Sequence, residues 1–78
     1  MERKEIYLGS IENALRFIAK TDRMHAVMRI VGDSKNIDAK SLLGVLSLDL
    51  KEPVLLEVRG DAQSREEVWH ELFDYLKK

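Results

Sequence analysis

Residues 34–50, SKNIDAKSLLGVLSLDL, place a short apolar block directly behind a lysine and a serine. On a helical wheel with Leu42 at 0°, Leu46 falls at about 40° and Leu43 at about 100°, while Val45 and Leu48 fall at about 300° and about 240°. The block therefore carries two apolar stripes, and only one can face a sheet. The other must be covered by a neighbouring helix, by adjoining chain, or by another molecule. Encircling apolar residues by themselves describe a fully buried core helix. Ser41 is well suited as its N-cap, because its side-chain oxygen accepts an amide of the first turn.

Working outward from this block, KEIYL (4–8) reads as a short strand with Ile6 and Leu8 on one face. Gly9 turns the chain, and Ser10 caps a helix over SIENALRFIAK whose stripe is Ile11, Ala14, Leu15 and Ile18. MHAVMRIV (24–31) alternates Met24, Ala26, Met28 and Ile30 with His25, Val27, Arg29 and Val31, the period of a strand. Gly32-Asp33-Ser34 is a turn cluster leading to a return strand, KNIDA (35–39).

Beyond the block, Pro53 opens the strand PVLLEVR, with Val54, Leu56 and Val58 opposite Leu55, Glu57 and Arg59. QSREEVWHELFDYLKK reads as a helix with a stripe of Val68, Trp69, Leu72, Phe73 and Leu76. Glu66 and Glu67 come early and Lys77 and Lys78 late, as the macrodipole favours. The order β-α-β-β-α-β-α predicts an α+β fold in two layers, an antiparallel four-stranded sheet covered on one face by three helices.

The chain has 78 residues, which predicts one domain over 1–78 burying roughly 60–65% of its unfolded surface. A net charge of −1 supplies no field to draw nucleic acid or an anionic membrane. The absence of cysteine excludes disulfides, iron–sulfur clusters and thiolate zinc sites. No apolar run approaches a membrane span, and MERKEIYLGS lacks the apolar core of a signal peptide, so a cytoplasmic protein is expected. His25 and His70 have no partner at metal-ligand spacing and read as surface or half-buried residues. Trp69 and Phe73 read as core rather than as a ligand cage. No metal or cofactor is expected.

The element order together with KNIDAKSLLGVLSLDL resembles HPr, the histidine-containing phosphocarrier of the bacterial sugar phosphotransferase system. A lysine, four residues, and then Lys40-Ser41 followed by spaced aliphatics match that family's regulatory-serine signature. The Gly44-Val45 and Ser47-Leu48 pairs look most like its Gram-positive members. The likeness is specific from about Lys35 to Gly60 and weak over the first fifteen residues.

In that family a histidine in a Gly-Leu-His-x-Arg-Pro context carries the phosphoryl group at the start of the first helix. Aligning ALRFI with that helix puts Ser10 at the histidine position, Glu12 at the arginine and Asn13 at the proline. The connection before it is also shorter. A serine hydroxyl without a base is a poor nucleophile, and a carboxylate in place of the guanidinium repels a phosphoryl group. Phosphocarrier activity by the usual route, and enzymatic activity generally, are therefore not expected.

The resemblance implies that Val45 and Leu48 pack inward while Leu42, Leu43 and Leu46 form an outward patch for partner proteins. It also implies phosphorylation of Ser41 by an ATP-dependent HPr kinase-like enzyme, with Lys40 assisting as a cation and Asp38 opposing. The expected function is a non-catalytic regulatory adaptor. Its expected partners are that kinase, a catabolite-control regulator or another phosphotransferase-system protein. Two alternatives remain at this stage: a phosphocarrier using an unconventional acceptor, and a degenerate module whose apolar patch seals a homodimer.

Overall fold

The computed structural model of the chain describes residues 1–32 and 35–77. Its elements are β1 (Glu2–Ile6), α1 (Ile11–Thr21), β2 (Val27–Val31), β3 (Asn36–Asp38), α2 (Leu42–Leu46), β4 (Val54–Arg59), α3 (Ala62–Glu71) and a 3-10 turn (Phe73–Tyr75). The strands form one antiparallel sheet in the order β1-β4-β2-β3. This is the two-layer α+β arrangement that the element order predicts. Of the turn cluster at Gly32-Asp33-Ser34, Asp33 and Ser34 lie outside the described residues, as does Lys78.

The core lies between sheet and helices. Ile6, Met28, Ile30, Leu56 and Val58 come from the sheet, Phe17 from α1, Val45 from α2, and Val68 and Leu72 from α3 and its end. Fully burying a side chain of this size contributes about 1.5–3 kcal/mol. Alternation along β4 sends Leu56 and Val58 inward, with Leu55 and Arg59 exposed on the opposite face.

β2 begins at Val27 rather than Met24, and three further elements differ from the sequence reading, each for a physical reason. The first strand runs Glu2–Ile6 rather than Lys4–Leu8. In register with β4, Ile6 pairs with Val54, so Tyr7 would next face Pro53, which has no amide hydrogen to continue the ladder. Tyr7 instead donates its N–H to the Tyr75 carbonyl at 2.8 Å.

In α1 the buried residues are Ala14, Phe17 and Thr21, with Ile18 packed partly against the core. Ile11 and Leu15, expected in the stripe, are 63% and 47% exposed. The apolar positions of this helix span about 200° of arc, wider than one docking face, and the large ring of Phe17 takes the interior. Thr21 is held inside because its Oγ1 donates to the Ala39 carbonyl at 3.0 Å.

The last helix stops at Glu71 instead of running to the terminus. A 3-10 turn follows, Leu76 becomes extended, and the chain pairs with the outer edge of β1 through Ile6 and Leu76. Lys77 N–H donates to the Glu5 carbonyl at 2.9 Å. Covering part of an edge strand satisfies backbone groups that a straight helix would leave open. The turn also buries Tyr75 edge-on against Phe17, with ring centroids 5.5 Å apart. Phe73, expected in the stripe, is exposed.

Candidate functional site

The start of α1 is tied down by three hydrogen bonds. Ser10 Oγ accepts the Asn13 N–H at 3.1 Å, Asn13 Nδ2 donates to the Leu8 carbonyl at 2.9 Å, and Gly9 N–H donates to the Leu50 carbonyl at 2.6 Å. Gly9 has φ +85°, and the Tyr7 ring lies against it so closely that a Cβ there would be 2.9 Å from Cε2. Ser10 is thus an N-cap whose oxygen is engaged by the helix it starts, and the exposed Glu12 puts a carboxylate in the first turn.

Ser41 caps α2. Its Oγ accepts the Gly44 N–H at 3.2 Å, and its own N–H donates to the Asp38 carbonyl at 3.0 Å. Asp38 Oδ1 accepts the Lys40 N–H at 2.8 Å, which shapes the turn between β3 and α2. The Lys40 ammonium, expected to stand by Ser41, is instead bound to the Met24 carbonyl. That bond ties α2's approach to the segment before β2.

Of the two stripes on α2, Val45 is fully buried and Leu48 packs partly against the core. Leu42 and Leu46 are exposed, and Leu43 is 82% exposed. The apolar surface extends onto α1. Lys20, on one flank of α1, reaches the Glu71 carbonyl at the end of α3. Ile11, Leu15 and Ile18 lie on the opposite flank, and α1 packs against α2. Ile11 and Leu15 thus add exposed apolar side chains on the helix that neighbours α2. The sequence reading missed these two by assigning them to the interior; the signal available was the excess width of the α1 stripe.

The histidines, far apart in sequence, both line one open groove of about 790 Å³ between the end of α1 and α3, with Lys20, Arg23, Glu66 and Glu67. Among the described residues, no group of three His, Asp or Glu side chains is placed to hold a metal ion. Among those residues, too, no helix is long and apolar enough to cross a membrane.

The carboxylates with shifted pKa values lie away from the α1–α2 surface. Burial pushes the Glu57 carboxyl up, but Arg3 and Arg59 outweigh it and hold the group below its ordinary value. Arg3 Nε and Nη2 each stand 2.9 Å from Glu57 Oε2, and Arg59 Nε stands 3.1 Å from Oε1. Glu2 is lowered chiefly by its hydrogen bond from Arg65, and Asp61, the N-cap of α3, by the Ser64 amide. Burial raises the Tyr75 phenol.

The sequence matches no protein-family model and no curated protein. The structure is similar to a phosphocarrier protein HPr from Bacillus anthracis str. Ames, with a TM-score of 0.77 and 24% identity over 97% of this chain and 96% of that one. It is also similar to HPr-C-His from Thermoanaerobacter tengcongensis, with a TM-score of 0.74 and 21% identity over 95% and 92% of the two chains. At such identities the likeness is one of backbone architecture. Near-complete coverage in both directions, with the same two layers, establishes that the chain has the HPr fold.

Proposed function

We propose that this chain is a divergent HPr-family adaptor related to the sugar phosphotransferase system, which binds partner proteins without carrying phosphate on a histidine. The observation that carries the reading is the surface at α1 and α2. Leu42, Leu43 and Leu46 are exposed on the short helix that Ser41 caps, and Ile11 and Leu15 are exposed on the neighbouring α1. Exposed aliphatic side chains grouped in this way are characteristic of a protein-binding surface.

The start of α1 supports the non-catalytic half of the reading. The residue aligned with the family's histidine is Ser10, its oxygen is occupied by the Asn13 amide, and a carboxylate follows two residues later. Ser41 is the modification site in this proposal. A phosphoryl group there adds about −1.5 to −2 charges at the edge of the apolar patch and removes the cap as it now stands. With Lys40 bound to Met24 and Asp38 close by, the new charge works chiefly by repelling or recruiting partners rather than by pairing within the chain.

Two incubations test this. ATP with an HPr kinase is expected to place one phosphate on Ser41, detected by mass spectrometry and lost in Ser41→Ala. Phosphoenolpyruvate with enzyme I is expected to leave no acid-labile phosphate. An unmodified Ser41 in the first refutes the switch; a histidyl phosphate in the second refutes the non-carrier reading.

A further inference from the structure

We draw no further inference here: the strongest candidate, the open groove between the end of α1 and α3 that His25 and His70 line with Lys20, Arg23, Glu66 and Glu67, carries nothing, because among the described residues no three His, Asp or Glu side chains are placed to hold a metal ion and nothing in the structure shows what else would occupy it.

Discussion

Ile37 on β3 fills the space that a side chain at Gly44 would need: its Cγ2 lies 2.5 Å from the Cβ position of that glycine. Gly44 sits in the middle of α2, where glycine is otherwise unfavourable by about 1 kcal/mol relative to alanine. Its presence lets the helix press against β3 and hold Val45 inside while the leucines turn out. Ile37 Cγ2 branches next to the backbone, so it cannot swing away cheaply.

Gly44→Ala is therefore expected to destabilise the chain by about 1–2 kcal/mol, since overpacking outweighs the gain in helix propensity. Ile37→Ala in the same chain should recover part of that loss. Urea unfolding of the two single variants and the double variant measures the coupling, and simple additivity would show that the clash is not the cause.

Phe17 is fully buried and Leu15 half exposed, although both are large apolar residues of α1. Phe17→Ala is expected to cost about 3–5 kcal/mol, most of the stability of a domain this small. Leu15→Ala should stay within about 0.5 kcal/mol. Equal losses in thermal melts of the two variants would overturn the orientation of α1 described above.

Ser10→Ala removes the cap that accepts the Asn13 amide and is expected to cost about 1 kcal/mol. If the start of α1 is purely structural, kinase-dependent phosphate on Ser41 should be unchanged in this variant at temperatures where it is folded. Mass spectrometry of the intact chain reads this directly.

Glu57, Glu2 and Asp61 all have carboxyl pKa values held below their ordinary ones in the folded chain. The unfolded chain therefore binds protons first as pH falls. The stabilisation these groups provide is complete above the ordinary carboxylate value of 4.5 for Glu57 and is lost as pH drops through that value and on through the folded one. The melting temperature should decline on the acid side, and Glu57→Gln should flatten that decline. A Glu57→Gln variant with an unchanged acid limb would remove the Arg3–Glu57–Arg59 cluster as a cause.

Leu43→Ser exchanges a side chain exposed to solvent for a polar one and is expected to change stability by less than about 0.5 kcal/mol. A partner that uses the α1–α2 surface should lose at least about tenfold in affinity by calorimetry. Retained affinity would place the partner elsewhere.

Local pattern was enough for element order and sheet type, because strand and helix periods and the residues that punctuate them act over a few neighbours; the inward direction of Val45 followed from the likeness to HPr. Alternation in VLLEVR placed Leu56 and Val58 inside, and Ser10 and Ser41 were legible as caps from their positions alone. Other features depended on partners distant in the chain. Pro53 ended β1 at Ile6, Phe17 displaced Leu15 from the interior, and the edge of β1 drew Tyr75 and Lys77 out of the last helix. The same holds for Lys40, whose ammonium donates to the Met24 carbonyl, and for His25 and His70, which both line one groove. A periodic sequence states how wide an apolar stripe is. Only packing against the rest of the molecule decides which part of that stripe is buried and which part stays at the surface.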